Sequence, residues 1–333
     1  MIEEVLTTAR YNAKVDPVLG IWTWEIAFYL FLGGMTAGIL VFAAAAHLAR
    51  RTGETPFTAW KLPLWAPIVL SAGMTTLFLD LEYKIHVFRF YTTFQPASPM
   101  SWGSWVLLLV YPASILLIAA TLREGYPRLA GLAERVPLVT TLFDQAERYR
   151  RGIAFWTIPI AVALGIYTGI LLSGFSARPF WNTSILGPLF LISGMSAAAA
   201  AVILFARDKA ERHRYARLDA ILIAIELVLI ALLIIGLATG ARAQMDALGL
   251  IMGGEYTIPF WVWFVAIGLV VPLLLELWEM RSPTLIIGML AAVLVLGGGY
   301  LLRHLAVELG QHSTWHEYAI QFDPKLLDRL RDE

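Results

Sequence analysis

The stretch WTWEIAFYLFLGGMTAGILVFAAAAHLA, from Trp22 to Ala49, carries one carboxylate, Glu25, and one imidazole, His47, in an otherwise uncharged run. A hydrocarbon layer of about 30 Å takes roughly 20 apolar residues as a helix, so this run is long enough to cross a bilayer. Lipid offers no water to backbone N–H and C=O groups, which makes the helix the natural form of so long and continuous an apolar segment. Seven more runs repeat the pattern, giving spans near 20–48, 62–81, 102–121, 153–174, 183–206, 217–239, 257–277 and 283–303. Composition agrees: 59% hydrophobic residues, 15% charged residues and a positive mean hydropathy describe an all-α integral membrane protein.

Residues 1–19 include Glu3, Glu4, Arg10, Lys14 and Asp16 and lack a compact apolar stretch, so they are read as an N-terminal segment and not as a cleaved secretory signal. Basic loops stay in the cytoplasm. The loops after spans one, three, five and seven hold Arg50, Arg51, Lys61, Arg123, Arg128, Arg135, Arg148, Arg150, Arg151, Arg207, Lys209, Arg212, Arg214, Arg217 and Arg281, which is 15 of the 25 Lys and Arg residues. Both termini are therefore expected outside the cytoplasm. Net charge is zero, so the total points to no nucleic-acid partner. With no cysteine in the chain, disulfides and a cysteine-held iron–sulfur cluster are excluded within it.

LFLGGMTAG from Leu30 and LFLISGMSA from Leu189 lie in two spans four helices apart. Their likeness suggests a duplication into two four-helix bundles, 20–174 and 175–303; recurrence of small residues at helix contacts explains it equally well. Gly34 and Gly38, and the stripe Ala161, Gly165, Gly169 and Ser173, suit close backbone approach. The loop 122–152 is expected to contain an interfacial helix from Leu138 to Arg150, or else to be a solvated connector. A polar C-terminal tail, 304–333, with His304, Glu308, His312, His316 and Glu317, is expected outside the membrane.

Polar and aromatic groups gather at one boundary. In the first span Trp22, Glu25 and Tyr29 recur at steps of three and four, hence on one helix face. A carboxylate at the centre of a bilayer costs about 2.5–3.5 kcal/mol on insertion scales, less toward the interface. Glu25 is read as a proton-exchanging acid, against the alternative of an interfacial anchor whose carboxylate reaches water. The second span ends in Asp80, Glu82, Lys84, His86 and Arg89, interleaved with Tyr83, Phe88, Phe90 and Tyr91, and the chain re-enters through SPMSWGSW, Ser98 to Trp105. The fourth span brings Tyr167, followed by Arg178 and Trp181, to the same side. Carboxylates, imidazoles and phenols are the groups that move protons when a hydroquinone is oxidised, a reaction of two electrons and two protons. Glu25, Tyr29 and Asp80 are the catalytic candidates, and Trp22, His86, Arg89, Tyr167 and Trp181 the binding candidates.

Asp219 and Glu226 lie seven residues apart on one face of the sixth span, about 10 Å along the axis. They are read as stations of a proton path, or as packing residues bonded to another helix. The six histidines, His47, His86, His213, His304, His312 and His316, fall at span ends or in loops, which argues against a bis-histidine haem. No metal site is expected, and no HExxH, GxxxxGK[ST] or GxSxG pattern occurs. An ion or proton transporter built on Asp219 and Glu226, and a passive membrane anchor, are the other functional classes open to this sequence.

As an ordered set, WTWEIAFYLFLGGMTAG from Trp22, LDL around Asp80, SPMSWGSW from Ser98, IYTGILLSG from Ile166, ARPFWNT from Ala177 and the small-residue run after Phe190 resemble the membrane subunit of the NrfD and polysulfide reductase family. The resemblance covers mainly the first five spans. It implies a haem-free subunit of a respiratory complex in a bacterial or archaeal cytoplasmic membrane, with eight core helices in two bundles. Its substrate would be menaquinone or ubiquinone, held near the membrane surface. The partners it implies are an iron–sulfur electron-transfer subunit and, behind it, a molybdopterin catalytic subunit. Departures are local: Ile26 stands where the family has an amide side chain, Tyr29 where it has a histidine, and Glu82, Tyr83 and Lys84 where many members have Gly-Arg-Pro.

Overall fold

The computed structural model describes residues 20–281 and 284–314. The segment 1–19, and the expected tail beyond Thr314 with His316 and Glu317, lie outside the described residues. Among those described, eight helices are long and apolar enough to cross a membrane: α1 Trp24–Leu48, α2 Phe57–Asp80, α3 Pro99–Ala119, α4 Arg150–Ser173, α5 Leu186–Phe205, α6 Lys209–Ala238, α7 Pro259–Arg281 and α8 Leu285–His312. No strand occurs among them. The expected spans are thus all present, several with longer ends. The face carrying the loops after α1, α3, α5 and α7 is called the basic face below.

Helix α1 lies at the centre, packed against α2, α4, α5 and α8, and α5 packs in turn against α4, α6 and α8. The crossing of α1 and α5 is a contact of backbone on backbone. A Cβ added to Gly194 would lie 2.4 Å from the Gly34 carbonyl oxygen, and one added to Gly38 would lie 2.7 Å from both the Gly194 oxygen and the Ala198 Cβ. In lipid, helices gain little by hiding apolar surface from one another, so such close van der Waals packing supplies the association. The stripe on α4 follows the same logic: a Cβ on Gly165 would meet Leu191 at 2.5 Å, and one on Gly169 the Leu186 oxygen at 2.3 Å.

Helix α8 continues nine residues past the end expected for it, so His304, Glu308 and His312 are helical and do not begin a tail. The polar side chains of this last part bond within the protein. Gln311 accepts from the backbone N–H of Ile21 and Trp22 (3.2 and 2.9 Å) and donates to the Trp22 carbonyl (2.8 Å), which fixes the chain entering α1. Arg178 donates to the carbonyls of Gln311 and Ser313, both 3.2 Å, and places a cation at the negative end of α8.

On the basic face the 122–152 loop folds into short helices, Leu122–Gly125, Pro127–Ala133 and Pro137–Arg148. The last of these occupies the place expected for the interfacial helix. Arg123 holds the loop together through Glu134 (2.6 Å), Asp144 (2.8 Å) and Glu147 (3.2 Å). Its hydrogen bonds to Glu134 and Asp144 raise the guanidinium pKa above its ordinary value. Helix α2 starts with one wide turn, Phe57–Lys61, and a tight one, Leu62–Leu64. Its free N–H groups at Phe57 and Thr58 both donate to the fully buried Glu211 of α6, at 2.9 and 2.8 Å. Helix starts leave such donors unpaired, and here a carboxylate from across the molecule takes two of them.

Removing that carboxylate strands two donors, each costing about 1–3 kcal/mol when buried. Glu211→Ala is expected to destabilise the protein by about 2 kcal/mol or more, and Glu211→Gln by less. Thermal unfolding in detergent checks this, and a wild-type melting profile for Glu211→Ala would contradict the role.

Candidate functional site

A cavity of about 330 Å³ opens opposite the basic face, among α1–α4 and the loop after α2. Its polar wall comes from Tyr29 of α1, Asp80 and Glu82 at the end of α2, Tyr91 of the loop, Ser104 of α3 and Tyr167 of α4. Its apolar wall comes from Trp22, Ile26, Met74, Leu77, Phe78 and Leu107 among others. The stretch 80–105 therefore folds as one side of the cavity, and α1 and α4 close the other.

Each wall has a local cause. The loop is held by Ser104, whose hydroxyl lies 2.6 Å from the Phe90 carbonyl and 2.7 Å from that of Ser101. Ser101 accepts from the Gln95 N–H at 3.0 Å, and the Trp102 indole donates to the Pro96 carbonyl at 2.7 Å. Tyr167 is seated by an absence: a Cβ on Gly103 would lie 1.9 Å from its ring Cζ and 2.0 Å from its hydroxyl. Only glycine leaves room there. Tyr29 and Tyr167 are buried, 4% and 6% exposed. No described residue forms a hydrogen bond with either hydroxyl, and both residues line the cavity. Buried phenols normally find a partner. Burial, then the Tyr111 hydroxyl, raises the pKa of Tyr91, so this group too is a neutral donor.

The structure sorts the sequence candidates. Trp22, Tyr29, Asp80 and Tyr167 come together on the cavity. Glu25 does not line it; the Thr23 hydroxyl donates to its carboxylate, and Ile26 takes the facing position. The reason is angular. Residues 25 and 26 flank the direction set by 22 and 29, and packing turns α1 so that the isoleucine points inward. His86 and Arg89 line an adjoining, more open groove, which shares Leu81, Glu82, Phe90 and Met100 with the cavity. Trp181 is fully buried behind Trp22, ring centroids 5.2 Å apart, and its indole N–H donates to the Ala306 carbonyl at 2.6 Å. Its place is in the packing of the α4–α5 connection on α8.

Sequence reasoning passed over Gly103, whose only signal is its position inside SPMSWGSW, and Tyr91, which was one aromatic among several. Asp219 and Glu226 lie well away, buried among α5–α8.

The arrangement is a narrow, mostly apolar slot with phenols and a carboxylate at one membrane boundary, suited to a flat amphiphile with polar atoms at its head. Among the described residues no cluster of His, Asp and Glu is placed to hold a metal ion. Comparison with known proteins agrees in kind. The family profile for polysulphide reductase, NrfD, matches residues 12–314. The C chain of polysulfide reductase from Wolinella succinogenes is 28% identical over 91% of this protein and 96% of its own length. Protein NrfD of Escherichia coli K12 is 31% identical over 87% and 95%, and the C subunit of selenate reductase from Mesobacillus selenatarsenatis is 24% identical over 83% and 71%. With the profile spanning nearly all of it, this chain belongs to the NrfD polysulphide reductase family, as a multi-pass membrane protein of the kind found in reductase complexes.

Proposed function

We propose that this chain is the quinone-reactive subunit of a respiratory oxidoreductase complex, exchanging electrons between menaquinone or ubiquinone and a docked iron–sulfur subunit. The observation that carries the reading is the pair of buried phenols, Tyr29 and Tyr167, with no protein partner for their hydroxyls among the described residues, in one apolar slot with Asp80. Phenol O–H groups donate to the oxygens of a quinone head. Asp80, half-buried at the mouth, takes and releases the protons that accompany two-electron chemistry, as a general base positioned at the boundary with water. Glu25 serves behind it as the next acceptor toward solvent. Met74, Leu77 and Phe78 flank the slot on the lipid side, where an isoprenoid tail would run.

The partner reading rests on the loop above the slot. Tyr83 and Ile85 are 72% and 86% exposed, beside Glu82, Lys84, His86 and Arg89. Exposed large apolar side chains rimmed by charge are the usual composition of a docking surface. An iron–sulfur subunit seated there would bring its cluster near the quinone head, with a molybdopterin subunit beyond it handling the terminal substrate. The excess of Lys and Arg on the basic face supports a cytoplasmic position for that face, and with it a slot on the outer side of a bacterial or archaeal cytoplasmic membrane.

In the assembled complex, Asp80→Asn is expected to lower quinol-linked turnover by about 10²-fold, the lower range for loss of a general base. Tyr167→Phe should cost about tenfold in kcat/KM, one hydrogen bond's worth. Wild-type kinetics in both variants would remove the slot from the reaction.

Gly103→Leu supplies a steric test. It should abolish quinol-linked turnover by displacing the Tyr167 ring, with helical content and assembly retained by circular dichroism and size exclusion. Retained turnover would show that quinone reacts elsewhere.

A further inference from the structure

Helices α1 and α6 each pack on α5 and not along one another. At the basic face a groove of about 270 Å³ opens between them. Its floor is small: Ala45, Ala46 and Ala49 follow one face of α1, so no long side chain fills it. Phe42 of α1 and Leu218 of α6 wall its deep end, with Phe42 set edge-on against Tyr215, ring centroids 5.3 Å apart. Arg51 and Arg214 stand at its water-side rim. The quinone reading uses none of these residues.

One carboxylate holds the two guanidiniums together. Arg214 Nη1 donates to Glu54 Oε2, and Arg51 Nε lies 4.0 Å from the same oxygen. Glu54 is not part of the lining, so the groove itself meets two cations and no anion. Two positive charges against one negative leave the trio with a net positive charge. A guanidinium carries five N–H donors in a planar fork, and those that Glu54 does not take match the oxygens of a phosphate. The turn after α1 sets this rim in place. The Arg51 N–H donates to the Ala46 carbonyl at 3.0 Å, Arg50 takes a left-handed φ of 56° where glycine is usual, and the Thr55 hydroxyl donates to the Arg51 carbonyl at 3.0 Å.

The shape of the groove selects among anions. From Ala49 to Phe42 it follows α1 for seven residues, about 10 Å at 1.5 Å per residue, into the membrane-spanning part of the helix. A dissolved anion would use the rim alone, whereas the phosphate of a lipid carries glycerol and acyl chains that occupy the apolar remainder. Retention of basic loops in the cytoplasm explains how many arginines this face has. It does not explain why two of them converge on one carboxylate at the mouth of an apolar groove. Basic pockets between transmembrane helices are where anionic lipid headgroups bind. With a net positive rim, phosphatidylglycerol is favoured over phosphatidylcholine, whose headgroup brings its own cation.

We propose that the groove between α1 and α6 is a binding site for one anionic phospholipid, its phosphate held by Arg51 and Arg214 and an acyl chain laid over Ala45 and Ala46 against Phe42 and Leu218. The lipid joins two helices that the protein itself leaves apart at this face, and it stabilises the fold as any ligand of the native state does. This goes beyond the quinone slot and does not depend on it, because groove and slot share no residue.

The test uses the full chain in detergent micelles containing traces of phosphatidylglycerol or phosphatidylcholine, and reads the retained lipid by native mass spectrometry with thermal unfolding alongside. The wild type should retain one phosphatidylglycerol in preference to phosphatidylcholine by at least about tenfold, as two arginines near a headgroup supply. Phosphatidylglycerol should also raise its unfolding temperature. Arg51→Gln with Arg214→Gln should remove both effects. Ala45→Phe, which fills the groove and keeps every charge, should remove them too, so that one well-folded variant suffices. Arg128→Gln with Arg135→Gln, the same loss of charge elsewhere on the basic face, should leave them intact. Equal retention of the two lipids, wild-type retention in the groove variants, or an equal loss in the Arg128 and Arg135 pair overturns the site. Displacement of the lipid by millimolar glycerol 1-phosphate would make it a site for dissolved anions and overturns it as well. None of these results bears on quinol-linked turnover, so failure here and failure of the slot are separate outcomes.

Discussion

Much of this structure depends on the contact of α1 with α5 at Gly34 and Gly194. Lipid gives little drive for helices to hide apolar surface from one another, so the bundle relies on how closely backbones can approach. Any side chain at Gly194 would collide with the backbone of α1. That one crossing fixes the rotation of α1 and therefore which of its outer residues turn toward α2–α4. It also fixes the height of Ser193 and Phe190 on α5, the two residues that receive the Arg303 guanidinium. The same guanidinium lies against Gly34, 3.1 Å from where a Cβ would stand. The slot and the buried polar core of α5–α8 are thus built outward from a shared seam.

The two polar regions solve the problem of keeping charge in a membrane differently. The slot sits at the boundary, where Asp80 and Glu82 border a loop that carries most of the local charge, so the cost of its carboxylates is modest. Asp219, Glu226 and Glu276 of α6 and α7 are fully buried, and the hydroxyls of Ser193 and Ser196 and the guanidinium of Arg303 lie in the same core. Glu211 shows a third solution: its carboxylate is consumed as the cap of another helix. Burial alone therefore does not mark a functional acid here. The oxygens of Glu211 are already used, whereas those of Glu276 have no donor among the described residues.

The spans were legible because apolar length is a property of the chain itself. The fold class, the number of spans and the boundary where polar groups collect all follow from it. Their ends were less so: the sequence places His304, Glu308 and His312 in a tail because they are polar, whereas α8 carries them as helix and Gln311 next to them bonds the start of α1. Trp22, Tyr29, Asp80 and Tyr167 were readable as a converging set. Glu25 was not separable from Ile26, since both flank the same helix direction and only three-dimensional packing selects one. Trp181 looked like a site residue because of its type, and the role of Trp181 and Arg178 in holding the end of α8 depends on contacts more than 120 positions away in the chain. Arg303 and Glu276 stayed hidden for a similar reason, each being a lone charge in its own span until α5–α8 bring them together.

The slot's lipid-side wall has a consequence for measurement. Phe78 lines the cavity and is 40% exposed, so a hydrophobic ligand entering the slot past it would reach the phenols sideways, out of the bilayer. Encounter then takes place in two dimensions. The governing variable is ligand per lipid, and an affinity stated per litre of solution will change with the amount of detergent or lipid present although the protein is unaltered.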